Sequence, residues 1–219
     1  MNEKRAILVL GPPGSGKGTQ AKLVAEKLGL FHFITSEIGK NYIKTHSDSK
    51  TQRQMEIYKK GALFKPPWLL KIVKKKTQEI FSQSNGIVYD GSPRTIYEAE
   101  GLYPFLVNLF GKENIKIIEI KANEKELEKR LEKRLICDKN SSHVFIRSEK
   151  LYAGVSCPEG DGVLKKRDLD KKELFETRMN EYKNRTLPAL DFLKRNYQVI
   201  TINGEQSIEK VYKEILEKI

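Results

Sequence analysis

GPPGSGKGTQ, residues 11–20, follows the apolar run AILVL at 6–10 and opens the stretch KGTQAKLVAEKL. Gly11, Gly16 and Lys17 have the spacing of a phosphate-cradling loop, G-x-x-x-x-G-K, between an apolar strand and an amphipathic helix, which is the context that spacing requires. The backbone N–H groups of such a turn point at one spot, and the helix N-terminus adds positive potential there. Gly14, Ser15 and Gly16 supply the turn, and Lys17 reaches the β/γ-phosphates. The next residue departs from the usual pattern. Gly18 stands where a magnesium-binding hydroxyl is expected, and the hydroxyl arrives one step later, at Thr19. A glycine at that point lets backbone approach phosphate closely. Thr19 keeps a hydroxyl for a phosphate or a metal-bound water, and Mg2+ is then held mainly by phosphate oxygens and waters, as this cation tolerates. Asp90, at the carboxyl end of IVYD, is the acid expected to face that hydrated ion.

Outward from this loop, short apolar runs recur at 6–10, 31–35, 87–90, 115–120 and 198–202. Helical patterns separate them at 17–28, 68–83, 96–110, 123–136 and 170–195, with 207–218 after the last strand. Strand alternating with helix predicts an α/β, three-layer P-loop fold with a five-stranded parallel sheet covered on both faces. Ligands of such sheets sit outside the carboxyl ends of the strands. Pro66 and Pro67 mark one helix start, Asn123 with Glu126 another, and Ser207 a third. Between about 137 and 169 periodicity fails and Ser, Gly and Asp accumulate, which predicts an inserted, loop-rich subdomain.

The chain has 219 residues, which predicts one globular unit, 1–219, with inserted subdomains. No run reaches the roughly 18 apolar residues of a membrane span, and MNEKR lacks the apolar segment of an export signal. A cytoplasmic protein without membrane partners is expected. The net charge of +12 favours anionic partners. Much of the excess lies in stretches such as KANEKELEKRLEKR, where lysine alternates with glutamate as on a solvated helix face and no aromatic residue is interleaved for nucleic acid. No nucleic-acid partner is expected. His32 and His46 show no partner pattern and read as structural or surface residues.

YDGSPRT at 89–95, an R-x-x-x-R pair at Arg130 and Arg134, and arginines at 167 and 178 complete a set that, with GPPGSGKGTQ, resembles the adenylate kinases. The resemblance spans nearly the whole chain. It implies a five-stranded parallel core with a monophosphate-binding insertion at about 34–65 and a lid at about 133–170. It also implies reversible transfer of the terminal phosphoryl of Mg-ATP to AMP, giving two ADP, by a monomer. The chemistry is consistent with this: a phosphate-monoester acceptor is already an ionised nucleophile, so catalysis reduces to alignment and charge neutralisation. Arginine suits that task, because its planar fork binds phosphate oxygens bidentately and stays charged. On the matching positions Lys17, Arg130 and Arg134 serve the donor side, Arg94 holds the acceptor phosphate, and Arg167 and Arg178 the region between. Arg130 and Arg134, four apart on one predicted helix, are expected to face the same phosphate. Each arginine also has a plainer reading as an exposed ion pair with a nearby glutamate. Val144 or Phe145 and Gln206 match contacts to the donor base. Thr35, Lys40, Ala62, Leu63, Phe64, Gly91 and Glu98 match the acceptor site.

Three departures from the family pattern bear on function. Lys40 replaces the usual arginine and supplies charge without the bidentate fork. Glu98 stands in place of a glutamine whose amide donates to and accepts from adenine; a carboxylate offers only acceptors, so a kinase for GMP or CMP is the alternative reading. In the lid, Cys137 and Cys157 occupy the first and third places of a zinc knuckle, but Asn140 and Gly160 occupy the second and fourth. His143, Asp138 or Asp161 could complete a set with shifted geometry, yet a structural zinc wants four ligands, and a metal-free lid is expected. A rival from another class, a basic ATP-dependent nucleic-acid binder, has no use for an arginine placed like Arg94 to hold an acceptor phosphate.

Overall fold

The computed structural model describes residues 4–219. Its main sheet is parallel throughout. The strands are β1 (Arg5–Leu10), β2 (Phe31–Ile34), β3 (Gly86–Asp90), β4 (Ile115–Lys121) and β8 (Val199–Asn203), in the order β2-β3-β1-β4-β8. β1 is central, and Ala6 to Leu10 are at most 1% exposed, the continuous apolar run of a strand covered on both faces. Its side chains alternate as the pleat demands. Ala6, Leu8 and Leu10 join a core under α4 (Pro66–Phe81), α5 (Ile96–Phe110) and α8 (Leu187–Asn196), while Ile7 and Val9 join one under α1 (Lys17–Leu28) and α9 (Ile208–Lys218). Register places Val9 beside Asp90, so the loop leaving β1 and the acid ending β3 emerge side by side.

Two helices, α2 (Thr35–Thr45) and α3 (Ser49–Lys59), lie between β2 and α4. Farther along, α6 (Glu124–Lys133) leads into a three-stranded antiparallel sheet of β5 (Arg134–Cys137), β6 (Val144–Ile146) and β7 (Leu164–Lys166), in the order β6-β5-β7. This sheet has its own small core of Leu135, Cys137, Cys157 and Leu164, against which Phe145, Leu151 and Val155 pack. α7 (Lys172–Glu181) follows. Among the described residues no helix is long and apolar enough to cross a membrane.

Two helix expectations are corrected. The helix expected over 123–136 stops at Lys133, and Arg134 is extended with φ −71° and ψ 133°. The apolar spacing Leu127, Leu131, Leu135 continues the helical period, but β5 pairs with a strand on each side, and those tertiary hydrogen bonds outweigh the local pattern. The stretch 170–195 is not one α-helix either. A π-helical turn at Tyr182–Thr186 separates α7 from α8. Pro188, in the first turn of α8, has no N–H for the usual i→i−4 bond, which accounts for the wider turn before it. The expected caps form: Asn123 Oδ1 accepts from the Glu126 N–H at 2.9 Å and Ser207 Oγ from the Lys210 N–H at 3.3 Å.

Candidate active site

A single cavity opens at the carboxyl ends of β1, β2 and β3 and continues beneath α2, the second sheet and α7. The glycine loop forms its floor through Gly14, Gly16, Lys17, Gly18 and Thr19. Gly16, at φ +89°, is the N-cap of α1, so the first amides of that helix are directed toward the loop. Ser15 lies within the loop with its hydroxyl buried.

The role of Gly18 follows from its neighbour. A Cβ built on Gly18 would stand 3.0 Å from Asp90 Oδ2. The glycine therefore makes room for the carboxylate as well as for approaching phosphate, and Thr19 and Asp90 both line the cavity. A hydroxyl and a carboxylate are the hard oxygen groups that suit a hydrated Mg2+ accompanying a nucleotide. His32, expected to be merely structural, faces Asp90 with Nε2 3.8 Å from Oδ2. Burial pushes the Asp90 carboxyl up, but His32 and Lys17 outweigh it and hold it below the usual range.

Five cations converge on this space: Lys17, Arg94, Arg134, Arg167 and Arg178 all line it. Burial, then the charges of Arg94, Arg178 and Arg134, drive the Lys17 pKa from 10.5 down to about 7, against the pull of Asp90. Asp170, 5% exposed, anchors two of the arginines. It accepts from both Nε and Nη2 of Arg134, and Oδ1 also accepts from Arg178 Nη1 at 3.0 Å. Among the described residues, none has a carboxylate oxygen within 4.0 Å of Lys17, Arg94 or Arg167. Gly91, at φ +76°, is required because a Cβ there would fall 2.3 Å from Arg94 Nη2; the guanidinium folds over it, and Nε donates to the Gly91 carbonyl at 2.7 Å.

The far end of the cavity is less charged. Thr35, Ala62, Leu63, Phe64, Gly91 and Glu98 line it, as expected from sequence. Six buried side-chain polar atoms among the described residues lack a hydrogen-bond partner, and three of them, His32 Nε2, Thr35 Oγ1 and Glu98 Oε1, belong to residues that line the cavity. Buried groups of this kind are rare in folded proteins and need a partner from somewhere. A ligand in this cavity is the economical source.

Several expected residues are placed elsewhere. Arg134 begins β5 instead of sharing a helix with Arg130, yet it reaches the cavity; Arg130 remains on α6, where Nε donates to Glu126 Oε1 at 2.8 Å, and is absent from the cavity wall. The pair is thus divided: Arg134 lines the cavity, and Arg130 makes the plainer ion pair. Lys40 is likewise off the wall, because Nζ lies 2.5 Å from Glu37 Oε1, which also accepts from Ser141 at 2.6 Å. Val144 lines the cavity, whereas Phe145, one pleat later, packs in the core of the second sheet. Gln206 is outside the wall, with Nε2 donating to the Asn203 carbonyl and to Glu214. Asp170 and His32 are the residues the sequence did not disclose. Their one legible signal is a general one, that crowded cations need a buried acid.

In the second sheet, Cys137, His143 and Cys157 come together, with their ligand atoms all within 4.8 Å of one another. Asp138 does not complete the set, since Oδ1 accepts from the Val163 N–H at 2.9 Å. Asn140 Nδ2 donates to His143 Nε2 at 3.0 Å, and Gly160 has no side chain to offer. Three donors fall short of the four of a structural zinc site.

Cations crowded this closely are tolerable opposite a polyanion, and at the mouth of a glycine-loop βα unit that polyanion is nucleotide phosphate. The fold and site define a P-loop phosphotransferase acting on nucleotides. The family profile described as "Adenylate kinase" matches residues 9–198. Among curated relatives, the adenylate kinase of Methanothrix thermoacetophila is 34% identical over 211 residues, covering 95% of each chain. That of Archaeoglobus fulgidus is 34% identical over 222 residues, covering 97% of this chain and 98% of its own. That of Borrelia garinii subsp. bavariensis is 33% identical over 211 residues, with 95% or more of each chain covered. The chain belongs to the adenylate kinase family.

Two outcomes follow from the cation cluster. In the folded, unliganded protein Lys17 titrates near 7 and in the unfolded chain near 10.5. Between those values the unfolded chain holds the extra proton, so this group makes stability rise with pH across that window, the penalty being full below it. Thermal melts should show a steeper rise from pH 7 to 9 in the parent than in Lys17→Met; parallel curves would contradict it. Asp170→Ala removes the shared partner of two buried arginines, an expected loss of about 3–5 kcal/mol. Differential scanning calorimetry should register it as a midpoint roughly 6–20 °C lower.

Proposed function

We propose that the chain transfers the terminal phosphoryl group of Mg-ATP to AMP, reversibly, giving two ADP. The observation that carries this reading is the convergence of Lys17, Arg94, Arg134, Arg167 and Arg178 on one cavity with a glycine loop at one end and a less charged pocket at the other. One nucleotide occupies each end, and the cations neutralise the phosphate oxygens between them. Lys17 and the loop amides hold the donor phosphates, Arg94 the acceptor phosphate, and Arg134, Arg167 and Arg178 the group in transit. Asp90 and Thr19 would hold the hydrated magnesium ion that accompanies ATP, which would supply further charge neutralisation. No general base is required.

Residues 34–65 act as the monophosphate-binding insertion and 133–170 as a lid. The bond from Ser141 to Glu37 joins the two over the cavity, which supports their closing together and excluding water from the transfer. The lid is held by its own small core and hydrogen bonds without a structural metal, because Asn140 and Gly160 leave the donor set incomplete.

Initial rates with Mg-ATP against AMP, dAMP, GMP, CMP and UMP test the reading directly. ADP formation dependent on AMP is expected, with no stimulation by RNA or DNA. Rates that are high only with GMP or CMP would move the protein to the alternative acceptor class, and nucleic-acid-stimulated hydrolysis without an acceptor would overturn the transferase reading. Arg94→Ala should lower kcat/KM for AMP by about 10²-fold or more, the scale set by removing one positioned donor to a developing charge. For the lid, elemental analysis of protein purified without added metal should find well under one zinc per chain; a stoichiometric content would show that Cys137, His143 and Cys157 suffice with an outside ligand.

A further inference from the structure

Glu98 is 2% exposed and lines the acceptor end of the cavity. Its two oxygens differ sharply. Oε2 accepts from the backbone N–H of Arg94 at 2.8 Å, whereas Oε1 is buried without a hydrogen-bond partner. The main-chain N–H of Glu98 is also committed, donating to Thr95 Oγ1 at 3.2 Å, so the side chain is fixed at the start of α5 and cannot turn aside without releasing its bond to Arg94. An ionised carboxylate in this position offers a base only lone pairs. The ring nitrogen of a 6-aminopurine, flanking the exocyclic amine, also presents a lone pair, and the two would oppose each other. A neutral carboxylic acid presents one donor and one acceptor, the same complement as an amide.

We propose that Glu98 recognises the acceptor base as a neutral carboxylic acid, Oε1–H donating to the ring nitrogen of a 6-aminopurine while Oε2 accepts from its exocyclic amine, and that binding takes up a proton onto Oε1. This rests on the acceptor reading above. The proton comes from solvent onto Oε1 and no other bond is made or broken. Oε2 has the lone pair needed to accept from the amine as well as from Arg94. The surroundings fit. Burial pushes the Glu98 pKa up and dominates, against the opposing pull of the Arg94 N–H and guanidinium, Thr95 and Arg185. Arg185, the charged residue facing Glu98 from the π-helical turn, is drawn off by Glu181 at the end of α7, whose Oε2 accepts from Nη1 at 2.9 Å. Arg94 in turn is directed at the phosphate end, with Nε on the Gly91 carbonyl.

Calorimetry of AMP binding in buffers of different ionisation enthalpy, at several pH values between 6 and 9, tests this against Glu98→Gln, whose amide has the same donor and acceptor without titrating. Both proteins carry Lys17 and bind the same phosphate, so their difference isolates Glu98. The parent should take up more protons than the variant, the excess approaching one as pH rises, with its AMP affinity falling up to about tenfold per pH unit relative to the variant. An analogue with carbon in place of the ring nitrogen, 1-deaza-AMP, should abolish the excess. Equal proton counts and parallel affinity profiles would overturn the proposal. AMP-dependent ADP formation by Glu98→Gln checks the acceptor reading separately: if present, equal counts refute only the protonation; if neither protein binds AMP, both ideas fail.

Discussion

The rest of the site depends on like charges held close together. Lys17, Arg94, Arg134, Arg167 and Arg178 line one cavity, and left to themselves these like charges would separate. The fold prevents that at three levels. β1 and β3 lie in register so that the loop and Asp90 emerge together. Gly18 and Gly91 remove the side chains that would block Asp90 and Arg94. Asp170 fixes two guanidinium groups that arrive from different elements. Burial and this repulsion together hold the Lys17 pKa down at about 7.

Local spacing made part of this legible. The glycine loop and Asp90 are readable because each sits at a fixed place at the end of a strand, whereas Arg94 and Glu98 are legible only through the resemblance to the adenylate kinases; all of them line the same cavity. The parallel sheet follows from apolar runs separated by helical periods, and its strands lie within a residue or two of where the pattern puts them. Other features are set by contacts that no local window contains. Leu131 to Leu135 keeps a helical interval, yet β5 forms because β6 and β7 flank it. Lys40 is drawn onto Glu37, and Phe145 into the second sheet's core, by partners that the chain brings in from elsewhere. Asp170 carries no local signature, and His32 reads locally as structural, for the same reason: their significance lies in what faces them.

The two ends of the cavity use opposite electrostatics. At the phosphate end the protein supplies excess positive charge and few partners, so the ligand completes the balance. At the base end it supplies uncharged surface, Ala62, Leu63 and Phe64, with isolated polar atoms on Thr35 and Glu98. Under the proposed function the first arrangement would attract nucleotide phosphate and the second would discriminate among bases, because a buried polar atom left without its match is costly.

The Arg134–Asp170 contact also has a mechanical meaning. Arg134 is the first residue of the strand entering the second sheet, and Asp170 follows shortly after Lys166, the last residue of the strand leaving it. The clasp therefore ties together the two connections of the sheet. The far end, which carries Ser141, is tied separately, through its bond to Glu37.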